Sequence, residues 1–270
     1  MIEIPPLLVA GLLAVGATVL VRSGPPWVAR WTFLRRVPRA AVVLWQAGAL
    51  AALVCVLGLT WLVLGETLGD PGRLFWWEWV AAGLVTLFAL VVVTRLVWAL
   101  VQVIGSTGTR RRRHRDLVDL LAQNTRSDDL SARTPGLRVL AETRPLAYCL
   151  PGLRGSRVVV SAGTLAMLSA EELSAVLAHE QAHLRARHDV VLATFDAVHQ
   201  AFPHAIRSEL PAEQSRLLVE MLADDAAVRS YGRAPLGRAL VALSGSVVPV
   251  GGLGAGPVST RVRLERLAAP

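Results

Sequence analysis

The sequence predicts an α+β protein in which an N-terminal three-helix transmembrane bundle precedes a mostly α-helical domain with a small β-sheet. The chain has 270 residues, of which 53% are apolar, and its mean hydropathy is +0.49. Residues 1–104 hold only 11 charged residues but all eight tryptophans. Short β-branched segments and helical apolar patterns follow in the remainder. This composition excludes an intrinsically disordered chain and disfavours an ordinary soluble protein.

Three apolar segments are long enough to cross a membrane. They cover residues 5–21, 40–65 and 76–95, and a span requires about 20 apolar residues. The first segment has neither the basic start nor the small-residue cleavage site of a signal peptide. The third ends at Arg95, whose side chain we expect at the membrane interface. We therefore predict three spans within residues 1–104.

The placement of arginine predicts the orientation of these spans. Residues 22–39 contain five arginines and no acidic residue, whereas residues 66–73 contain two acidic residues and one arginine. A further five arginines lie within residues 110–115. The positive-inside rule then places the N-terminus outside and everything after residue 105 in the cytoplasm. The sequence thus indicates a multi-pass protein of the cell membrane.

The arginines of residues 110–115 have two interpretations. A basic run of this kind is found in proteins that bind nucleic acids. Its position directly after a predicted span instead favours contact with the anionic headgroups of a lipid bilayer. We therefore expect a lipid partner and no direct binding of nucleic acid.

The second part of the chain contains strand signals followed by a capped helix. We predict strands over residues 137–140, 146–150 and 157–161, the last of which is the richest in β-branched residues. Ser169 and Glu172 form a capping-box pattern, which marks the start of a helix.

The predicted helix carries a histidine pair with the spacing of a zinc site. His179 and His183 are four residues apart and therefore project from the same helical face, with Glu180 between them. Two imidazoles on one face can bind a single Zn²⁺, and Glu180 is placed to accept a proton from a water molecule. A structural alternative is a polar helix face with buried histidines.

A catalytic zinc site requires a third protein ligand and one open position. Glu220, in a second predicted helix, is the candidate for this ligand. Asp224 lies four residues later on the same face and can accept a hydrogen bond from a ligand histidine. His199 and His204 are weaker alternatives for the third ligand. His204, Tyr231 and Arg233 are candidates for stabilising an oxyanion. His188 and Asp189 can orient a ligand or cap the helix end, and we favour the structural role.

These motifs resemble a known family. Residues 169–189 are similar to the active-site helix of the BlaR/MecR-type integral-membrane zinc metallopeptidases, and residues 145–161 resemble the strands that precede it. The chain is also similar to the related heat-shock and CAAX-type membrane proteases, which are gluzincins. The resemblance implies a zincin-like (minigluzincin) domain, one Zn²⁺ per chain, and Glu220 as the third ligand.

The resemblance also divides the chain into four regions. Residues 1–104 form the transmembrane region, and residues 105–136 form a juxtamembrane basic segment with a helical linker. The zinc metallopeptidase domain covers residues 137–235. Residues 236–270 are a glycine-rich C-terminal segment. The family has a fourth span after such a segment, so this sequence is either that of a short member or one that stops before the fourth span.

The sequence therefore predicts a zinc-dependent endopeptidase with a cytoplasmic active site and a polypeptide substrate. We expect an extended segment of that substrate to add to a free edge of the strand over residues 157–161. The resemblance implies a BlaI-like transcriptional repressor as that substrate, and hence a role in signal transduction. Membrane-protein quality control of the heat-shock type is an alternative function. A non-catalytic membrane signalling scaffold is a third, although the complete set of candidate site residues argues against it.

Overall fold

The protein is mostly helical in a computed structural model that describes residues 6–69, 72, 75–123, 134–152, 155–202, 208–244 and 257–269. The α-helices are α1 (Pro6–Thr18), α2 (Gly24–Ala29), α3 (Pro38–Gly69), α4 (Trp76–Leu121), α5 (Ala162–Met167), α6 (Ala170–Arg185), α7 (His188–Ala201), α8 (Leu210–Tyr231), α9 (Arg233–Ala242) and α10 (Pro257–Ala268). The strands are β1 (Ala122–Gln123), β2 (Leu137–Leu140), β3 (Ala147–Leu150) and β4 (Arg157–Ser161). The chain divides into two compact units.

The first unit comprises Met1–Gln102 and Thr194–Ser215. Among the residues that the structure describes, three helical segments are long and apolar enough to cross a membrane, and they cover Leu8–Ala29, Pro38–Gly69 and Trp76–Leu121. They overlap the three predicted apolar segments, and they suggest a membrane protein. The first continues to Ala29, into residues that we predicted as a loop. Helices α1 and α3 approach closely at glycines, since a Cβ built on Gly16 would lie 3.4 Å from the Sγ atom of Cys55. Small residues at such contacts let two apolar helices pack backbone to backbone.

Helix α4 differs from the predicted third segment, which we expected to end at Arg95. The helix continues without a break to Leu121, so its 46 residues extend about 69 Å, more than twice the roughly 30 Å of a bilayer core. The Nε atom of Arg95 donates a hydrogen bond of 2.7 Å to the carbonyl of Ala201, the last residue of α7. A guanidinium at a helix C-terminus satisfies an orphan carbonyl and complements the helix dipole.

The second unit, Val103–Ala193 and Arg216–Pro270, contains the sheet. The strand order is β1-β2-β4-β3, with β2 and β4 parallel and the other pairs antiparallel. The three predicted strands are confirmed, and the two-residue β1 is an addition. Our expectation of a free edge on β4 was wrong, because β4 pairs with β2 on one side and with β3 on the other. In the described part of the chain, the longer edge strand is β3.

Both faces of the sheet are covered. On one face, Leu137, Val139, Val158 and Val160 form a buried cluster with residues of α6 and α9. On the other face, Val118 of α4 packs with Tyr148, Leu150 and Val159. Side chains of a strand alternate between the two faces, so Cys149 projects from the opposite face to Tyr148 and Leu150. This alternation directs Cys149 toward the side on which α6 packs.

The C-terminal region differs from the expected glycine-rich segment. Helix α9 is buried at Leu236 and Ala239, and Leu267 of α10 joins a cluster with α6, α8 and α9. Arg263 of α10 is only 2% exposed. Residues 245–256, which include the glycine run, lie outside the described residues. Residues 257–268 thus form a helix that packs onto this unit, and whether a fourth span follows it stays a prediction.

Candidate metal centre

Helix α6 begins at the predicted capping box, which is confirmed. The Ser169 side chain accepts a hydrogen bond from the backbone N–H of Glu172, and the Glu172 carboxylate accepts one from the backbone N–H of Ser169. These bonds satisfy two amides that would otherwise lack partners in the first helical turn. The cap thus stabilises the start of the helix that carries His179 and His183.

The structure brings His179, His183 and Glu220 together in the interior of the second unit. The two histidine Nε2 atoms lie 3.2 Å apart, and the Glu220 carboxylate approaches them at 3.4 and 3.5 Å, with one oxygen toward each ring. All three side chains are buried. Their candidate ligand atoms lie within 4.8 Å of one another.

These distances suit a tetrahedral zinc site. Zinc binds histidine nitrogen and carboxylate oxygen at about 2.0–2.2 Å, so two ligand atoms at adjacent corners of a tetrahedron lie roughly 3.3–3.5 Å apart. The separations given above fall in or next to this range. Two imidazoles and one carboxylate are also the donor set of a catalytic zinc that leaves one position open. These residues therefore fit one Zn²⁺ ion.

The Asp224 carboxylate lies beside the Nδ1 atom of His179. Its Oδ1 atom lies 3.0 Å from Nδ1 of His179, which leaves Nε2 of the ring facing His183 and Glu220. Asp224 is 1% exposed and lies one helical turn after Glu220 on α8. A carboxylate behind a ligand histidine sets its tautomer and makes the other nitrogen a better ligand.

Arg263 of α10 is a component of this centre that the sequence did not predict. Its guanidinium donates hydrogen bonds of 2.7 and 2.6 Å to the two Asp224 oxygens, and one of 2.9 Å to Oε2 of Glu220. Sequence reasoning had no signal for it, because Arg263 is 39 residues beyond Asp224 and shares no local pattern with the site. One buried cation thus holds both buried carboxylates in place.

Glu180 lies beside the ligand group in a desolvated position. It is 4% exposed, and its Oε2 atom lacks a hydrogen-bond partner among the described residues. Burial raises the pKa of Glu180 to about 7, the range in which a carboxylate can both accept and return a proton at neutral pH. The thiol of Cys149 on β3 contacts this carboxyl group, and burial, together with the negative charge of Glu180, raises the pKa of the thiol.

The surroundings of the two histidines shift their pKa values in opposite directions. Burial alone lowers the pKa of His179, but hydrogen bonds to Asp224 and Glu220 outweigh it and raise the pKa to about 9. Burial lowers the pKa of His183 to about 3. The pKa of Glu220 is held far below its usual range, because His183, Arg263 and His179 overcome the effect of its burial. A protonated His179 and Arg263 therefore balance two carboxylates when no metal is bound.

Two of the predicted oxyanion stabilisers, Tyr231 and Arg233, have no described contact with this group. Tyr231, at the end of α8, is 44% exposed. Arg233 is exposed and donates to the carbonyl of Ala269. No contact described for either residue joins it to the ligand side chains. His204 lies outside the described residues. His199 belongs to the first unit, where it pairs with Glu209 at 3.3 Å.

Comparison with known protein families identifies one match. Residues 110–234, a little under half of the chain, match the model of peptidase family M48. The matched range contains His179, Glu180, His183, Glu220 and Asp224, whereas Arg263 lies outside it. Comparisons with curated proteins and with solved structures give no match.

The match supports a hydrolase, and specifically a metallopeptidase of family M48, whose members depend on zinc. It agrees with the ligand chemistry derived above. It does not confirm the BlaR/MecR features that we inferred from the sequence.

Replacing Arg263 tests its role as the cation between the two carboxylates. Arg263→Met leaves Glu220 and Asp224 without their buried partner, and breaking such a pair costs about 3–5 kcal/mol of stability. We expect a large drop in melting temperature in the presence of a chelator, and a partial recovery when Zn²⁺ compensates the carboxylates. Arg261→Met is the matched control, because Arg261 is 86% exposed on the same helix. Equal melting temperatures for the two variants would contradict this role.

Zinc affinity should increase with pH between pH 6 and 8. His179 has a pKa of about 9 without metal, so it holds a proton throughout this range and must lose it when it binds zinc. His183 is already neutral there. One displaced proton corresponds to a roughly tenfold gain in affinity per pH unit, which levels off above pH 9. Competition with a chelator of known pH dependence measures the slope, and a slope of zero would refute the assignment.

Proposed function

We propose that the protein is an integral-membrane zinc endopeptidase that hydrolyses peptide bonds on the cytoplasmic side of the cell membrane. One observation carries this proposal, namely the buried group of His179, His183 and Glu220 with Glu180 beside it. The match to family M48 supports the peptidase activity, and the three apolar helices are compatible with a membrane protease.

His179, His183 and Glu220 would hold the metal in this mechanism, with Asp224 and Arg263 fixing their positions. When bound, zinc lowers the pKa of a water molecule and polarises the scissile carbonyl. Glu180 removes a proton from the attacking water as the new C–O bond forms. It then gives that proton to the departing amide nitrogen as the C–N bond breaks. Its buried position keeps the pKa near neutrality, which suits both transfers.

The edge of β3 is our candidate for binding the peptide backbone. The N–H of Ser161 donates to the carbonyl of Leu146, so the backbone groups of Tyr148 also point toward β4. Those of Ala147 and Cys149 then lie on the outer edge, where an extended polypeptide could add as a further strand. Cys149 contacts the Glu180 carboxyl, so a peptide paired at this edge would pass next to the proposed base.

The proposed orientation rests on the arginines. Residues 22–39 and 110–115 are rich in arginine and therefore favour the cytoplasmic side. The second group lies in α4, which continues from the third apolar segment into the second unit. The exposed arginines of this group would contact anionic headgroups.

The BlaR/MecR resemblance makes a BlaI-like transcriptional repressor our candidate substrate, whereas the heat-shock resemblance favours damaged membrane proteins. The two substrates differ in their folded state. A repressor-specific enzyme would cleave the folded repressor at one bond, and a quality-control enzyme would cleave many unfolded chains. Incubation of the purified protein with a folded repressor encoded beside it, and separately with casein, distinguishes the two functions.

Cleavage by Glu180 variants tests the mechanism. Glu180→Gln should retain zinc, because Glu180 is not a proposed ligand, and should reduce casein or self-cleavage by about 10²–10⁴-fold. Glu171→Gln is the matched control, because Glu171 is exposed in the first turn of the same helix. Zinc content and cleavage are measured in detergent for all three proteins. Equal cleavage by wild type and Glu180→Gln would contradict the role of Glu180, and an absence of cleavage by all three proteins would favour the non-catalytic scaffold.

Accessibility of the chain ends tests the orientation. A tag at the C-terminus should be labelled only after the cells are permeabilised, because the positive-inside rule places that end in the cytoplasm. A tag at the N-terminus should be labelled in intact cells. Labelling of the C-terminal tag in intact cells would reverse the topology and leave the zinc site unaffected.

A further inference from the structure

His188 directly contacts the second candidate ligand. Its Nδ1 atom lies 3.1 Å from Nδ1 of His183, and the two rings meet edge to face with centroids 4.9 Å apart. His188 is 5% exposed and His183 is 1% exposed. The contact therefore lies in the protein interior, behind the face that His183 presents to His179 and Glu220.

The backbone between α6 and α7 is folded so that this contact can form. Arg187 has a φ of 51°, in the left-handed region that non-glycine residues rarely adopt. The corner is closed by a hydrogen bond from the N–H of Ala186 to the carbonyl of Ala182, and by one from Val190 to Arg187. Such a conformation costs about 1 kcal/mol or more. It turns the chain within two residues, so that His188 lies against the helix that carries His183.

A second contact anchors the same turn. Asp189 forms an ion pair with Arg111 of α4 at 2.9 Å, and both side chains are largely buried. The pair holds the first turn of α7 against α4 within the second unit. His188 is thus fixed on one side by the strained corner and on the other by a neighbouring ion pair.

The contact between the two Nδ1 atoms requires one ring to donate a hydrogen bond and the other to accept it. His183 faces the ligand group through Nε2, so a neutral His183 that binds a metal there carries its proton on Nδ1. The Nδ1 atom of His188 must then accept this proton in a hydrogen bond, and the ring of His188 carries its own proton on Nε2. This arrangement parallels that of Asp224 behind His179, with a neutral acceptor in place of a carboxylate.

We propose that His188 is a positioning residue that holds His183 in the tautomer and ring orientation required for metal binding. This inference rests on the proposed zinc centre. It gives each of the two candidate histidine ligands its own acceptor, Asp224 for His179 and His188 for His183. Because one acceptor is charged and the other is neutral, the two ligands differ in basicity, and His183 is the more weakly polarised.

A pair of amide variants provides the sharpest test. In His188→Asn the amide oxygen occupies the position of Nδ1 and can still accept from His183. In His188→Gln the oxygen lies further out, near the position of Nε2, and cannot. Loss of such an acceptor typically weakens metal affinity by about 10–100-fold, so we expect this loss for Gln and not for Asn. His199→Gln is the control for a histidine-to-glutamine change on the same helix.

The measurements are Zn²⁺ affinity by chelator competition, the visible spectrum of the Co²⁺-substituted protein, and the melting temperature with chelator present. The proposal predicts weaker affinity and an altered Co²⁺ spectrum for His188→Gln only. Equal affinities and spectra for His188→Asn and His188→Gln would overturn it. If the wild-type protein binds neither metal, the proposed zinc centre itself fails, and the two failures are thereby distinguished.

Discussion

The structure of the candidate site depends on the charge balance among Glu220, Asp224, Arg263 and His179. Two carboxylates buried at 6% and 1% exposure would be strongly destabilising if they were unpaired. Arg263 compensates both of them through three short hydrogen bonds, and a protonated His179 completes the balance. The ligand side chains are therefore held in position before a metal binds. Preorganisation of this kind lowers the entropic cost of metal binding, because the ligand side chains are already ordered before the metal binds.

The chain assembles this centre from three distant segments. Helix α6 supplies His179 and His183, α8 supplies Glu220 and Asp224, and α10 supplies Arg263. Apolar contacts among α6, α8, α9 and α10 hold these helices together, with Ala175, Ala227 and Leu236 fully or almost fully buried. Small residues at two of these positions allow the helices to approach closely. The packing and the polar network consequently support each other, since none of the three segments could form the centre alone.

Local patterns in the sequence predicted part of this arrangement. The capping box, the i,i+4 histidine pair and the Glu220–Asp224 pair each depend on residues within one or two helical turns, and helical geometry alone relates them. Arg263 and the edge position of β3 depend on contacts between segments far apart in the chain, which no local period encodes. The extension of α4 to Leu121 was missed because charged residues after a span indicate its end in the membrane, and not the end of the helix. His188 lay next to a recognised motif, yet its contact with His183 depends on the left-handed corner at Arg187.

The central claim is that His179, His183 and Glu220 bind one zinc ion. X-ray absorption at the zinc K-edge of the detergent-solubilised full chain tests it most directly, with the metal content measured in parallel. We predict one zinc per chain, with only nitrogen and oxygen neighbours at about 2.0–2.2 Å, two of them imidazoles. A sulfur neighbour at about 2.3 Å, which Cys149 or Cys55 would have to supply, would contradict the account. So would a wild-type protein that binds no zinc.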